Sequence, residues 1–243
     1  MTLYFIGLGL WDEKDISVKG LEVVRRCDYV YLDHYTSFLN CDIKDLERVY
    51  GKEIKLANRD LVEKKAEAII ERAKVSKVAF LVVGDPFAAT THIDLMLRAR
   101  KEDVKIKIVH NASILSAIGF LGLELYKYGK VTSIPFENKN IKTPYEVYLN
   151  NKEKELHTLF LLDLDIENKK FMTVNEGVKF LVDCGLEKDT LCIGVGGVGS
   201  DEPEIKVGKA KEIVKRVFVK YPQCFIIPSS MHFMEEEALG LWK

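Results

Sequence analysis

A ligand-binding loop is predicted where an apolar segment of the chain ends. The segment Val78–Val83 is followed at once by Gly84-Asp85-Pro86. An apolar run bounded by Gly and Pro is typical of a buried strand, and open α/β sheets bind ligands beyond the carboxyl ends of their strands. Gly84 allows a close approach of the backbone to a ligand, and Pro86 stiffens the turn. Taken alone, these three residues are better explained by an ordinary tight turn with a helix cap, so other segments must decide.

A second loop of this kind follows the first predicted strand. Gly7-Leu8-Gly9-Leu10 could pass its backbone beneath a ligand, although Asp12 stands where a dinucleotide-binding loop has its third glycine. Asp33 ends the second predicted strand, where an acidic side chain could bind the ribose of a dinucleotide. A dinucleotide-dependent oxidoreductase is one interpretation of these residues, and Asp12 counts against it.

A glycine-rich loop, Gly194–Ser200, stands in the second half of the chain. So much glycine indicates a backbone that closely approaches a ligand or another backbone. A flexible hairpin turn explains the same residues, so the function of this loop stays open.

The other reactive side chains form none of the patterns that mark metal or nucleophilic catalysis. The five cysteines and five histidines are dispersed, without a Cys-x-x-Cys pair or a His-Glu-x-x-His pattern. Neither a Gly-x-Ser-x-Gly sequence nor a phosphate-binding P-loop occurs. We expect no metal site, reduced structural thiols, and no acyl-transfer or phosphoryl-transfer centre.

Composition and charge narrow the class of protein. Of the 243 residues, 47% are hydrophobic, and 36 Lys and Arg balance 37 Asp and Glu. This balance gives no argument for direct binding of nucleic acid. No apolar run approaches the roughly 20 residues that cross a membrane, and Met1–Leu10 lacks the basic start of a secretory signal. We expect a cytoplasmic protein without membrane contact.

The first half of the chain alternates strand-like and helix-like segments, which predicts parallel βαβ units with right-handed crossovers. The clearest helix is Asp60–Lys74, where apolar residues recur on one face. The predicted strands are Thr2–Gly7, Asp28–Asp33, Glu53–Leu56, Lys77–Val83 and Val104–His110, and the other predicted helices are Ser17–Arg26, Asp42–Tyr50 and Thr91–Lys101.

A domain boundary is predicted after Asn111, where this pattern changes. Ala112–Leu123 is small, apolar and glycine-bearing, as expected of a helix that packs closely against another element. We predict an N-terminal α/β domain of residues 1–111 and a C-terminal α/β domain of residues 112–243.

The second domain has a mixed pattern of strands and helices. The predicted strands are Lys130–Ile134, His157–Leu164, Thr190–Val195, Glu204–Gly208 and Cys224–Pro228, and the predicted helices are Thr173–Asp183, Lys209–Phe218 and Met231–Leu239. Asn138–Thr143 is expected to be a solvated loop. The charge run Glu235-Glu236-Glu237 is expected on a solvated helix face.

Several segments together resemble the diphthine synthase family of the tetrapyrrole methylase superfamily. Gly84-Asp85-Pro86 alone marks only the superfamily, whereas its continuation Ala89-Thr90-Thr91-His92 and the segment Phe171–Glu176 are more specific. The other matching segments, in family order, are Leu3–Leu10, Asp15–Leu21, Tyr35–Ser37, His110–Ile114 and His157–Phe160. The resemblance covers nearly the whole chain.

The resemblance implies two α/β domains of the tetrapyrrole methylase type, with S-adenosyl-L-methionine in the cleft between them, and a homodimer. It also implies eight cofactor contacts, several of them through backbone groups because the side chains are apolar. These residues are Leu10, Asp85, Ala88, Ser113, Ile114, Leu162, Val198 and Gln223.

The implied reaction is methyl transfer to the amino group of a 3-amino-3-carboxypropyl histidine on translation elongation factor 2. Transfer is repeated until the nitrogen is trimethylated, which gives diphthine. An α-amino group has a pKa near about 8, so free amine exists at neutral pH and no catalytic base is assigned. Asp33 and Tyr35 are candidates on the substrate side, where a carboxylate or an aromatic ring could stabilise the positive nitrogen.

Other functions compete with this interpretation. A tetrapyrrole methyltransferase acting on corrin or porphyrin precursors is the nearest, but such relatives continue Gly-Asp-Pro with a Phe-Gly-Arg-like segment. This chain has Phe87-Ala88-Ala89-Thr90 there, without the arginine that suits a polycarboxylate substrate. A non-catalytic module that senses S-adenosylmethionine is the alternative outside enzymes.

Overall fold

The computed structural model describes residues 1–242, which divide into two compact units after Leu115. The predicted boundary after Asn111 lies shortly before this division, and the predicted domain ranges stay a prediction. Among the described residues, no helix is long and apolar enough to cross a membrane.

The first unit is built on a parallel sheet, as the βαβ pattern predicted. Its strands are β1 (Thr2–Gly7), β2 (Tyr29–Asp33), β3 (Lys55–Ala57), β4 (Lys77–Val82) and β5 (Lys105–Val109). They lie in the order β3-β2-β4-β1-β5, and every neighbouring pair is parallel. After β1 the chain continues to β2, toward one end of the sheet, and after β4 it continues to β5, at the other end. The connections thus diverge between β1 and β4, which is where open α/β sheets bind ligands.

Helices cover both faces of this sheet. They are α1 (Val18–Arg25), α2 (Ile43–Tyr50), α3 (Glu67–Val75) and α4 (Ile93–Lys101). Ser17 caps α1, because its hydroxyl accepts the Gly20 N–H at 3.1 Å. The core on the α3 side contains Leu3, Phe5 and Phe80, and the core on the α1 side contains residues of alternate strand positions.

The predicted helix Asp60–Lys74 is interrupted. Asp60–Lys64 forms one π-helical turn, closed by a 3.0 Å hydrogen bond from the Lys65 N–H to the Asp60 carbonyl, and α3 follows. The predicted apolar face is nevertheless confirmed, since all of its members are buried: Val62, Ala66, Ile69, Ile70 and Ala73.

The second unit contains a mixed sheet and a small ribbon. Its strands are β6 (Thr132–Ile134), β7 (Thr158–Leu162), β8 (Leu164–Asp165), β9 (Lys170–Phe171), β10 (Leu191–Gly196), β11 (Glu204–Lys209) and β12 (Gln223–Ile227). The sheet has the order β11-β10-β12-β7-β6, in which only β6 and β7 are parallel, and β8 pairs with β9.

The helices of the second half differ in part from the prediction. They are α5 (Ile114–Ala117, across the division), α6 (Thr143–Glu153), α7 (Val174–Cys184), α8 (Ala210–Ile213) and α9 (Phe233–Gly240). Helix α6 was not predicted, and α8 is shorter than the predicted Lys209–Phe218. Within the predicted helix Ala112–Leu123, α5 gives way to a 3₁₀ turn at Ile118–Leu121. The close packing expected after this turn is confirmed, because a Cβ on Gly122 would lie 2.2 Å from the Ala238 Cβ.

The expectation that residues 235–237 form a solvated face is wrong for Glu235, whose side chain is buried. Its carboxylate accepts hydrogen bonds from Lys127, from His157 and from the backbone N–H groups of Glu124 and His232. Burial alone would raise the pKa of Glu235, but these hydrogen bonds outweigh it and lower the pKa to about 2. A buried ion-pair network thus holds the start of α9.

Candidate active site

Two glycine loops cross at the carboxyl edge of the first unit's sheet. The Gly84 N–H donates to the Gly9 carbonyl at 2.6 Å, and the Gly9 N–H donates to the Gly84 carbonyl at 3.4 Å. Both residues have left-handed φ values, +84° at Gly9 and +78° at Gly84. A Cβ on Gly7 would lie 2.5 Å from the Gly84 carbonyl oxygen. The loops after β1 and β4 therefore approach each other so closely that no side chain fits between them.

Asp85 ties the β4 loop to the end of β5. Its Oδ1 accepts the Phe87 N–H at 3.1 Å. Its Oδ2 lies 2.7 Å from the His110 Nδ1 and accepts the Asn111 N–H at 3.3 Å. Both carboxylate oxygens are thus engaged within the protein, and Asp85 fixes the shape of the loop.

Asn111 joins all three loops at this edge, although the sequence did not single it out as a site residue. Its side-chain Nδ2 donates to the Gly7 carbonyl at 3.1 Å and to the Asp15 carbonyl at 3.0 Å. A side-chain amide is suited to this position because one group can donate to two backbone carbonyls. The signal that could have found it is its place directly after a predicted strand.

Leu10 is held by a carboxylate farther along the same loop. The Asp15 Oδ2 accepts the N–H groups of Leu10 and Trp11, at 3.1 and 2.6 Å. No hydrogen bond to the Leu10 carbonyl occurs in the described part of the chain. This carbonyl is the backbone group of Leu10 that is available to a ligand.

The remaining first-unit residues assigned to the cofactor lie at the same edge. Ala88 is in the β4 loop, where its N–H donates to the Asp85 carbonyl at 3.3 Å. The next residue, Ala89, has φ +58°, an uncommon conformation for a residue with a side chain. Ser113 is buried, and Ile114 begins α5. All five predicted first-unit residues are thus gathered on the loops after β1, β4 and β5.

Asp33 and Tyr35 lie beside this edge, at the end of β2. The Asp33 side chain is fully buried and accepts hydrogen bonds from the Tyr35 N–H and the Thr36 hydroxyl. Its Oδ2 also lies 3.2 Å from the Nε2 of His92, which is equally buried. Tyr35 lies 3.4 Å from Thr91, hydroxyl to hydroxyl, and burial raises the pKa of its phenol. In this arrangement Asp33 orients neighbouring side chains and has no surface of its own for a substrate.

The three predicted second-unit residues also share one sheet edge. Leu162 ends β7, Gln223 begins the neighbouring β12, and Val198 follows β10. The Gln223 side chain accepts the Val174 N–H at 2.9 Å and donates to the Phe218 carbonyl at 3.3 Å. Gln223 therefore stabilises its surroundings through both ends of its amide.

The glycine-rich segment forms a hairpin between β10 and β11, which pair antiparallel. A Cβ on Gly194 would lie 2.3 Å from the Phe218 ring, and one on Gly196 would lie 2.6 Å from the Lys220 carbonyl oxygen. Close packing within the unit thus accounts for these two glycines. A contribution of the hairpin to ligand binding stays a prediction.

The described residues hold no group of His, Cys, Asp and Glu that could bind a metal ion. All five cysteines are free, and burial raises the pKa of Cys192 and Cys224 to about 12. Such thiols are poor nucleophiles at neutral pH because the thiolate is the reactive form.

Comparison with known proteins identifies the family. The family model for tetrapyrrole (corrin/porphyrin) methylases matches residues 2–214. A diphthine synthase of Methanocella arvoryzae is 42% identical, over 98% of this chain and 96% of that protein. The human diphthine methyl ester synthase is 39% identical, over 99% of this chain and 94% of that protein. A crystal structure of diphthine synthase superposes with a TM-score of 0.94 at 38% identity, covering 100% of this chain and 96% of the other. The chain belongs to the diphthine synthase family of methyltransferases, within the tetrapyrrole methylases.

Proposed function

We propose that this protein uses S-adenosyl-L-methionine to methylate the 3-amino-3-carboxypropyl histidine of translation elongation factor 2 in diphthamide biosynthesis. The amino group of that residue is the acceptor, and it is methylated to the trimethyl state, diphthine. The observation that carries the proposal is the carboxyl edge between β1 and β4, where crossed glycine loops present backbone groups. Methyl transfer to an amine depends mainly on holding the reactants in position, which such an edge can do.

The residues at this edge fit the cofactor. A Cβ on Gly84 would meet no atom closer than 3.8 Å, so the missing side chain leaves open space beside Ala112 and Ser113. When bound, S-adenosylmethionine supplies a methyl group activated by a positively charged sulfur. We assign its binding in the first unit to Leu10, Asp85, Ala88, Ser113 and Ile114, with Asp85 acting by holding the loop. The contributions of Leu162, Val198 and Gln223 stay predictions from the resemblance.

The acceptor amine needs no catalytic base from the protein. An α-amino group has a pKa of about 8, so the free-amine fraction rises roughly tenfold between pH 6 and pH 7. The observed rate should follow this fraction and level off above the pKa of the amine. Tyr35, oriented by Asp33 and Thr91, is the aromatic group we assign to the positively charged product nitrogen.

The test is mass spectrometry of elongation factor 2 that carries the unmethylated amino-carboxypropyl histidine, after incubation with this protein and S-adenosylmethionine. Successive methyl increments on that residue support the proposal. Absence of increments, with cofactor binding intact by calorimetry, contradicts it and favours a sensing module. Gly84→Ala is the matched variant, because its side chain would enter the open space and the φ of +78° disfavours alanine. We expect it to weaken cofactor binding, whereas Gly51→Ala, also at positive φ and in open surroundings but at the end of α2, should not.

Esterification of the acceptor's carboxylate is a second candidate activity. It is favoured by the names of the relatives, since diphthine methyl ester synthases of Homo sapiens and Dictyostelium discoideum are each 39% identical to this chain, close to the 42% of the archaeal diphthine synthase. The same mass spectra distinguish the two activities. A methyl group lost in mild alkali is an ester, whereas methyl groups on a quaternary nitrogen survive the treatment.

A homodimer and a cytoplasmic location complete the proposal. Light scattering of the purified chain tests the assembly. A mass equal to one chain would contradict the homodimer.

A further inference from the structure

A basic groove lies on the α1 side of the first unit. Its volume is about 490 Å³, and residues from α1, β1, β4 and β5 line it. Its charged residues are Lys19, Arg26, Lys77 and Lys107, and Tyr4 and Val109 are among the other residues that line it. We call it the α1 groove.

The α1 groove presents positive charge and no carboxylate. Lys19, Arg26, Lys77 and Lys107 are all exposed, and none of the lining residues is Asp or Glu. Within residues 1–242, only Arg26 among these four forms an ion pair, with the exposed Glu22 at 3.5 Å. The ammonium group of Lys107 lies 5.7 Å from the centre of the Tyr4 ring. Cations that converge from separate elements, three of them without an ion pair among the described residues, attract an anionic partner.

Protection of a sheet edge does not account for these residues. β5 is an edge strand, and lysines on edge strands discourage pairing with another chain. This explanation covers Lys107, but it does not cover Lys19 and Arg26, which belong to α1 and its end, or Lys77, which begins β4. The convergence of the four cations therefore needs a separate cause.

One end of the α1 groove adjoins the candidate active site. Val109 lines the groove and is followed directly by His110 and Asn111, which hold the β4 loop. Lys19 lies in the first turn of α1, just after Asp15, which holds the loop after β1. The other end is marked by Lys77, whose partner Thr2 begins β1. The groove thus runs beside β1 from the level of Thr2 to that of Ile6, about 13 Å for four residue steps.

We propose that the α1 groove binds an acidic, extended segment of the protein substrate while that substrate's modified histidine occupies the neighbouring active site. This inference rests on the proposed function. An extended segment of about five residues matches the length of the groove, and its carboxylates would pair with the four cations. Separate lysine side chains can pair with carboxylates at variable positions, whereas a single arginine guanidinium binds one carboxylate in a fixed geometry.

The test is charge reversal of two exposed cations, Lys19→Glu with Lys107→Glu. We expect the KM for elongation factor 2 to rise about tenfold, with kcat and the cofactor Kd unchanged, because steering and docking charges act on encounter. The KM of the unaltered protein should also rise with salt more steeply than that of the variant. Lys44→Glu with Lys101→Glu is the matched control, since both are exposed and unpaired in the described first unit, and its KM should change less than about twofold.

Three results would overturn the proposal. The first is an unchanged KM in the double reversal, and the second is a change in its mass by light scattering, which would make a second copy of the chain the occupant. The third is a double-reversal variant that binds elongation factor 2 normally but no longer binds a single-stranded RNA oligonucleotide. If the unaltered protein transfers no methyl group, the proposed function fails separately. Fluorescence anisotropy of labelled elongation factor 2 then tests binding by the α1 groove separately. Weaker binding by the double-reversal variant supports the proposal, and equal binding contradicts it.

Discussion

Among the described residues, each unit contains one buried pair of a histidine and a carboxylate, and the two pairs differ in how fully they are hydrogen-bonded. In the second unit, His157 lies 2.9 Å from Glu235. In the first unit, His92 lies 3.2 Å from Asp33. All four side chains are essentially excluded from solvent.

In the second-unit pair, every polar side-chain atom of His157 and Glu235 has a hydrogen-bond partner. The Nδ1 of His157 accepts the Ser229 N–H at 3.0 Å, which leaves Nε2 to donate to Glu235. Burial lowers the pKa of His157 by more than the neighbouring Glu235 raises it, which favours the neutral ring. Lys127 supplies the countercharge to Glu235. Every polar atom of this pair contributes to holding α9 in place.

The first-unit pair is incomplete. The Nδ1 of His92 is buried and has no hydrogen-bond partner among residues 1–242. Aromatic rings surround it instead, with Phe80 at 5.1 Å and Tyr35 at 6.1 Å between ring centres. An unpaired buried nitrogen costs stability, so folding does not explain why the chain has it. From this difference we expect the second-unit pair to matter mainly for stability and the first-unit pair mainly for activity.

The largest effect should come from Glu235→Ala. It leaves Lys127 without its countercharge and His157 without its acceptor, which typically costs about 3–5 kcal/mol of unfolding free energy. Urea unfolding followed by circular dichroism measures the loss. A cost below about 1 kcal/mol would show that the network is not the anchor of α9 described above.

The next largest effect should come from acid, which protonates Glu235 and so weakens the second-unit pair. The pKa of Glu235 is about 2 in the folded protein, against an ordinary value of 4.5. Its lowered pKa contributes stability above pH 4.5 that is lost as the pH falls toward 2, about 3 kcal/mol in all. Urea midpoints between pH 5 and pH 2.5 should fall more steeply in the unaltered protein than in Glu235→Gln. Parallel slopes in the two proteins would contradict the assignment.

Replacement of each histidine by phenylalanine separates the two pairs. His157→Phe leaves the Ser229 N–H and the Glu235 carboxylate each one partner short, at a cost of about 2 kcal/mol, with unchanged kcat for folded protein. His92→Phe should cost only about 1 kcal/mol, because Asp33 keeps two donors and the unpaired nitrogen is removed. We expect its kcat to fall about tenfold, since the side chains at the substrate end lose their orientation. Equal kcat values in the two variants would remove the distinction.

The smallest effect concerns the contact between Tyr35 and Thr91. At 3.4 Å between the hydroxyl oxygens, this hydrogen bond is long. A double-mutant cycle of Tyr35→Phe and Thr91→Val should give a coupling of about 0.5 kcal/mol in unfolding free energy. A coupling above about 1.5 kcal/mol would place the first-unit pair within a rigid network like that of the second unit.

Local patterns predicted much of the first unit and its site. The apolar runs of β1 and β4 and the glycines after them are adjacent in sequence, so the loops at the carboxyl edge could be located. Asn111 and Asp15 could not be assigned in the same way. Asn111 donates to the carbonyl of Gly7, which is distant in the sequence, and the Asp15 carboxylate accepts N–H groups within its own loop. No periodicity records either kind of bond.

Polar residues on buried faces account for the clearest failures. The buried residues of α6 have regular helical spacing, but two of them are Pro144 and Asn151, which an apolar pattern does not count. Asn151 is buried because it bonds the N–H and carbonyl of Lys130, at 3.0 and 2.9 Å. Glu235 was assigned to the surface because of its charge, since its partners Lys127 and His157 are distant in sequence.

The strand order of the first unit also sets the sequence of events during synthesis of the chain. β1 lies between β4 and β5 and pairs with both, and the register of its pairing with β4 begins at Lys77. The first strand must therefore wait without a sheet partner until more than 70 further residues have left the ribosome. Such distant pairing is slow and leaves apolar surface exposed, so β1 is the strand of this sheet that stays longest without a partner during synthesis.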